Sequence, residues 1–325
     1  MIADPQGRRF PYLRLSITPV CNFRCGYCLP NGNPEWAKRA LPLTLPEIRR
    51  LVRGFAAMGV TKIRLTGGEP TLRPDVVEIA AECASTPGIR RIALTTNGYR
   101  LPALVPGLRR AGVRALNVSV DSLKPEHFHH ITGADRLPTV LEGIDLALSS
   151  GFEAVKINTV LLKGVNDHEV EGFVEWVRDR DADVRFIELM PTADGPEYFA
   201  RHHQRLSVVR DSLIARGWGV VPRQTDGGPA EVLSHPDYQG RVGLIRPFAE
   251  DFCSTCNRLR VTALGELKLC LFGTGQRSLR PWLQEDGREE ELGHAVAAML
   301  LGKTAGHGLH EGDHGDTRNL AAMGG

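Results

Sequence analysis

The chain has 325 residues, with 40 Lys and Arg against 38 Asp and Glu, a formal net charge of +2. Charges so nearly balanced give no general attraction to nucleic acid or an anionic membrane, so neither is expected as a partner. Hydrophobic residues at 42 % and charged residues at 24 % match an ordinary globular protein and argue against wholesale disorder. The longest apolar run, residues 295–301, is far short of the roughly 18 residues that span a bilayer. The polar first ten residues carry no signal-peptide core, so a cytoplasmic protein is expected.

In chain order, short apolar or alternating runs predict strands at 13–17, 62–65, 91–94, 115–118, 154–159 and 184–187. Helical patterns lie between them at 44–58, 74–84, 102–111, 137–150 and 168–178. Thr44 is a suitable cap for the first of these, and Gly59 ends it. Repeated strand-then-helix units imply parallel strands with right-handed crossovers. The fold class expected is α/β, an incomplete (β/α)6 barrel of the TIM type, with a doubly wound open sheet as the alternative. The texture changes near residue 225. Short runs at 242–245, 259–262 and 267–271, then a helix near 289–301, predict a smaller C-terminal domain. We divide the chain at 1–224 and 225–325.

The seven cysteines are clustered. Cys21, Cys25 and Cys28 read C-x3-C-x2-C directly after the first strand. Cys253, Cys256 and Cys270 read C-x2-C-x13-C. Cys83 stands alone on a predicted helix, as a small packing residue. Clustered thiols in a cytosolic chain point to metal or redox chemistry rather than disulfides. Three thiolates can hold a [4Fe–4S] cluster with one iron left open. A zinc site with a distant fourth ligand is the alternative, and for the second triad His235 is a candidate. Special residues also follow the strands: Thr66-Gly67-Gly68-Glu69-Pro70, Thr95-Thr96-Asn97-Gly98, Ser119-Val120-Asp121, and Glu188-Leu189-Met190-Pro191. In barrel folds the C-terminal ends of the strands carry the active site. Arg258 and Arg260 alternate on one strand and so share a face, where they could hold an anion. The remaining histidines are expected in solvated or core roles, and the four tryptophans in packing.

The C-x3-C-x2-C run with Tyr27 before its last cysteine resembles the signature of radical S-adenosylmethionine (SAM) enzymes. With the second triad, Leu13-Arg14-Leu15-Ser16-Ile17-Thr18, Ile63-Arg64-Leu65-Thr66-Gly67-Gly68-Glu69-Pro70, and Cys256-Asn257-Arg258-Leu259-Arg260-Val261, the chain resembles the GTP 3′,8-cyclase (MoaA) family of molybdenum cofactor biosynthesis. The resemblance implies two [4Fe–4S] clusters, on Cys21, Cys25 and Cys28 and on Cys253, Cys256 and Cys270. It implies SAM as cofactor, contacted by Tyr27, Gly68, Ser119 and Met190. It implies GTP as substrate, contacted by Arg14, Arg64, Thr95, Lys156, Arg258, Leu259 and Arg260, with Lys62 and Arg185 as further candidates. The reaction implied is radical cyclisation of GTP to 3′,8-cyclo-7,8-dihydroguanosine triphosphate. It needs an external one-electron reductant and a downstream cyclic pyranopterin monophosphate synthase; a homodimer is also possible for this family. The terminal Gly324 and Gly325 match a tail that reaches back into the site. A peptide-modifying radical SAM enzyme and a non-catalytic iron–sulfur or zinc module are the rivals.

Overall fold

The computed structural model describes residues 2–223, 227–321 and 323. Among the described residues, twelve strands form one sheet in the order β12-β11-β10-β1-β2-β3-β4-β5-β6-β9-β8-β7. The first half runs β1 (Tyr12–Ser16), α1 (Glu35–Arg39), α2 (Leu45–Ala57), β2 (Lys62–Thr66), α3 (Val76–Ser85), β3 (Arg91–Thr96), α4 (Leu101–Arg110), β4 (Val113–Ser119), α5 (Pro125–Thr132), α6 (Leu137–Ser149), β5 (Ala154–Leu161), α7 (Val170–Trp176) and β6 (Asp183–Glu188). All six strands pair in parallel and in sequence order. After them come α8 (Pro196–His202), α9 (Ser207–Ala215), β7 (Gly219–Val221), β8 (Glu231–Ser234), β9 (Arg241–Ile245), β10 (Arg258–Val261), β11 (Glu266–Lys268), β12 (Arg277–Ser278) and α10 (Glu289–Leu300).

The predicted strands and long helices are present, with boundaries displaced by a few residues at most. The C-terminal strands do something the sequence did not suggest. They build no sheet of their own. β9 adds in parallel to β6, and β10 adds in parallel to β1. Exposed strand edges are unsatisfied rows of N–H and C=O groups, and both ends of the six-stranded array are covered this way. Eight parallel strands therefore lie side by side, and the row ends in antiparallel hairpins rather than closing into a ring.

The outer face of the array is apolar. Ile63, Leu65, Leu94, Leu116, Val118, Ile157, Val184 and Phe186 join Ile48, Phe55, Ile79, Val105, Val140 and Ile144 of the covering helices in one core. Cys83 is fully buried there, as expected of a packing residue. Trp36 departs from expectation: it is 47 % exposed on the short α1.

The α2 helix starts as the sequence predicts. Thr44 accepts from the Glu47 amide, and the Glu47 carboxylate accepts from the Thr44 amide at 2.8 Å, a reciprocal capping box. Arg280 and Gln284 also donate to Glu47, tying this end to the segment before α10. Thr44→Ala should cost about 1 kcal/mol. A thermal midpoint lower by roughly 2 °C is the expected reading; an unchanged midpoint would show that the cap contributes nothing.

Candidate active site

The inner face of the sheet is polar. Register places Arg14 of β1 beside Arg64 of β2 and Arg260 of β10, with Tyr12 beside Lys62 and Arg258. Further round, Thr95 lies beside Asn117, Asn117 beside Lys156, and Lys156 beside Asp183. Asn158 lies beside Arg185, and Arg185 beside Gly243, whose missing side chain leaves the arginine room. The strands alternate, apolar toward the helices and polar toward this interior. Leu259 obeys the same alternation. It is fully buried in the apolar core, between two arginines that face the other way. Its side chain is thus a packing group of that core.

These cations crowd one another. Burial, then Arg14 and Arg258, lowers Arg260 to about 9. Burial, then Arg64 and Arg258, lowers Arg14 to about 10. Arg185 falls to about 10 through burial, and Arg64 across the interior adds to the shift, so the sheet curls enough to bring β2 and β6 face to face. Burial, then Arg185, lowers Lys156 to about 8. Burial resists ionisation of Tyr12, yet Arg64, Arg14 and Lys62 outweigh it and bring the hydroxyl down to about 7. Asp183 bonds Lys156 and takes Arg241 at 2.9 Å on its other oxygen. Sequence reasoning missed Asp183, although its place two residues before Arg185 marks the same face. Three buried polar atoms here have no hydrogen-bond partner: Asn117 Oδ1, Asn158 Oδ1 and Arg185 Nε. Such atoms are costly unless a ligand or water completes them.

At the C-terminal rim, the first cysteine loop lies on the Gly67-Gly68 turn. The Gly68 amide donates to Thr18 O at 2.9 Å, and the Glu69 amide to Val20 O at 2.8 Å. A Cβ on Gly68 would sit 2.2 Å from Val20 O and 2.9 Å from the Cys21 nitrogen. Glycine is required there because two backbones touch. Glu69 is buried and binds the next loop, accepting from Thr71, the Thr96 hydroxyl at 2.8 Å and the Asn97 amide at 2.6 Å. Asn33 clamps Cys21 from the other side, amide to side chain and side chain to carbonyl. Tyr27 donates to Asp121 Oδ2 at 2.8 Å, and Val160 N donates to Asp121 Oδ1. Burial raises Cys21 to about 11 and Cys28 to about 12. The second triad differs: burial raises Cys256, but Arg258 and Lys303 outweigh it and leave the thiol below its usual value.

The two triads meet through an apolar cluster. Leu271, Phe272, Leu309, Leu320 and Met323 pack with Tyr27, Cys28, Met190, Phe248 and Cys270. Arg260 reaches the Met323 carbonyl at 3.5 Å. Ser119 ends β4 in register with Asn158. Gly324 and Gly325 lie outside the described residues. All seven cysteines are free of disulfides. A single ion needs its ligand atoms close together. Among the described residues that grouping, within 4.8 Å, occurs at His127, His168 and Glu169 and at neither triad. The His235 ring packs on Trp218 and Tyr238, and its Nδ1 lies 3.2 Å from the Asp237 amide. Glu169 is already engaged by Ser122, Leu123 N and His127, and His203 bonds Glu188 at 3.0 Å. These His–carboxylate pairs were not legible from spacing.

The chain matches the Radical SAM superfamily over residues 15–177 and Molybdenum Cofactor Synthesis C over residues 182–309. Curated GTP 3′,8-cyclases align along its whole length. That of Stenotrophomonas maltophilia (strain R551-3) is 53 % identical, covering 100 % of this chain and 99 % of the relative. That of Aeromonas hydrophila is 52 % identical, over 100 % and 96 %. The chain belongs to the GTP 3′,8-cyclase family of radical SAM enzymes. The fold is also that of Streptococcus suis SuiB bound to S-adenosylmethionine, with a TM-score of 0.62 at 13 % identity, over 92 % of this chain and 73 % of that one. Membership brings an iron–sulfur cluster and SAM to the site, and the free thiols of Cys21, Cys25 and Cys28 fit such a cluster as its donors. No helix of the described residues is long and apolar enough to cross a membrane.

Gly68→Ala should displace the Cys21 loop rather than merely weaken a contact. Iron content after anaerobic reconstitution is expected to fall by at least half, with Ala at Gly172, which has open space and no positive φ, as the control. Full iron loading of the Gly68 variant would contradict this.

Proposed function

We propose that this chain binds GTP in the cationic interior of the sheet, between a SAM-cleaving cluster on Cys21, Cys25 and Cys28 and a second [4Fe–4S] cluster on Cys253, Cys256 and Cys270. The observation that carries the reading is the crowded row Arg260–Arg14–Arg64 with Lys156 and Arg185 opposite. Buried cations at this density suit a polyanion, and arginine suits phosphate oxygens by forked hydrogen bonds. Held by Cys21, Cys25 and Cys28, a cluster with SAM bound would supply the one-electron radical chemistry that links C3′ to C8 of GTP.

The protein's own work is placement. Arg14, Arg64, Lys156, Arg258 and Arg260 hold the triphosphate, and Thr95 receives Arg64 at 3.2 Å, fixing its aim. Leu259 contributes by packing their strand. Tyr27, held by Asp121, and Met190 flank Cys28, while Gly68 and Ser119 line the same rim; these four contact SAM. The apolar cluster between the triads excludes water from the reaction. Family resemblance gives Gly324 and Gly325 a part in turnover, and replacing both by Ala should abolish turnover with the clusters intact. Residues 1–224 form the SAM unit and 225–325 the auxiliary-cluster unit. An external one-electron donor reduces the first cluster, and cyclic pyranopterin monophosphate synthase consumes the product in the cytoplasm.

Anaerobic reconstitution followed by SAM, reductant and GTP tests the whole reading. About eight irons per chain are expected, falling to about four in Cys253→Ala. 5′-Deoxyadenosine should form only when GTP is present. Zinc in place of iron, or four irons in both proteins, would overturn the two-cluster reading.

GTP binding should also move protons. Lys156 at about 8 and Tyr12 at about 7 are each partly deprotonated at pH 8, where the triphosphate is fully ionised. An added polyanion raises both, so binding takes up protons. GTP affinity should fall as pH rises above 8. Calorimetry in buffers of different ionisation enthalpy reads the uptake directly; proton release at pH 8 would contradict the assignment.

A further inference from the structure

Between Gly315 and Arg318 the chain crosses from one half of the open sheet to the other. On the β11 side, Asp316 pairs with Lys268 and accepts from the Gly275 amide at 2.8 Å. Thr317 donates to the Leu271 carbonyl and lies 3.2 Å from Lys268 Nζ. On the β6 side, the Ala193 amide donates to Thr317 O at 3.0 Å, and the Asp194 amide to Arg318 O at 3.1 Å. Gly315 lies so close to this loop that a Cβ would meet Phe272 O at 2.5 Å and Gly273 O at 2.6 Å. Its φ of +63° suits glycine as well.

Two features make this more than a surface crossing. Lys268 is 2 % exposed and Thr317 1 %. A buried lysine is costly unless a partner is fixed beside it, and here the partner comes from the far end of the chain. Lys268 also lies two residues before Cys270, and Leu320 and Met323 follow directly, packed on Cys28, Tyr27 and Met190. The crossing ties three things together: the loop of the second triad, the loop after β6, and the apolar cover over the first triad.

We propose that residues 315–318 are a clasp, pinned by Lys268 and Asp316, which closes the split side of the sheet and positions the apolar cover of the reaction space. Lys268, Asp316 and Thr317 are positioning residues; none of them touches the reacting atoms. The consequence for chemistry rests on the reading of the two triads as cluster sites. The clasp itself does not, because its hydrogen bonds are made by protein groups alone. With the clasp loose, the cover lifts and the external reductant, with a proton from water, replaces GTP as the source of hydrogen, so SAM would be spent without cyclisation.

The test uses anaerobically purified holoenzyme with Asp316→Asn, and with Thr317→Val as a second variant that keeps the charged pair. Hydrogen exchange at Ala193, Asp194, Gly275 and residues 317–323 should speed up by roughly tenfold or more in both variants. Iron per chain should stay at the wild-type value. 5′-Deoxyadenosine formed per cyclised product should rise several-fold, while the KM for GTP stays within about twofold and kcat falls. Asp316→Glu, which keeps the charge, should restore part of the coupling. Unchanged exchange would overturn the clasp. Iron loss in step with activity would also overturn it, because the segment would then only hold the cluster loop. Absence of iron from the wild-type protein would strike the cluster reading and leave the exchange result standing.

Discussion

Like-charge crowding inside the sheet is the constraint from which the rest follows. Arg14, Arg64 and Arg260 stand side by side on neighbouring strands, with Lys156 and Arg185 facing them. Cations buried this way repel one another and lose hydration. The chain tolerates this because the opposite face of the same strands is packed densely against α2, α3, α4 and α6. One side of each strand carries the stability and the other carries an incomplete electrostatic site. Asp183 offsets part of the charge by engaging Lys156 and Arg241. The Asn117, Asn158 and Arg185 atoms without partners leave hydrogen-bonding capacity in that interior.

Above this interior, backbone contact rather than side-chain chemistry sets the rim. The Gly67-Gly68 turn presses against Thr18 and Val20, and Glu69 staples that turn to the loop after β3. The cysteine loop therefore rests on a surface made by two other strands. A three-thiol site on a free loop would have no fixed orientation; here Asn33, Gly68 and the Tyr27–Asp121 bond each remove a freedom. The second triad is arranged by different means. It lies around β10 and β11, with Arg258 close enough to Cys256 to favour its thiolate.

The C-terminal third then has two structural duties besides its cysteines. It covers both edges of the parallel array, through β9 and β10, and it returns over the rim between residues 315 and 323. Covering the edges removes a pairing hazard. Returning over the rim encloses a space that a six-stranded open array would leave wet.

The order of strands and helices was legible because each leaves a local signal: a period of two or 3.6, a Thr44 cap, a glycine stop. The cysteine triads and the residues at strand ends were legible because their spacing is itself local. Leu259 was not, since its place between two arginines says nothing about which side of β10 is wet; that follows from the pairing of β10 with β1. Asp183, the His127–Glu169 and His203–Glu188 pairs, and the Lys268–Asp316 pin were hidden for the same reason. Each joins residues far apart in the chain, and sequence periodicity carries no information on such contacts. By itself the sequence determined the elements and the family, and it singled out the two thiol sets. Only the tertiary structure decided that the last strands extend the first sheet, that the cations converge, and that the tail closes over the triads, because those outcomes depend on which edges and faces remain to be satisfied once the barrel strands have paired.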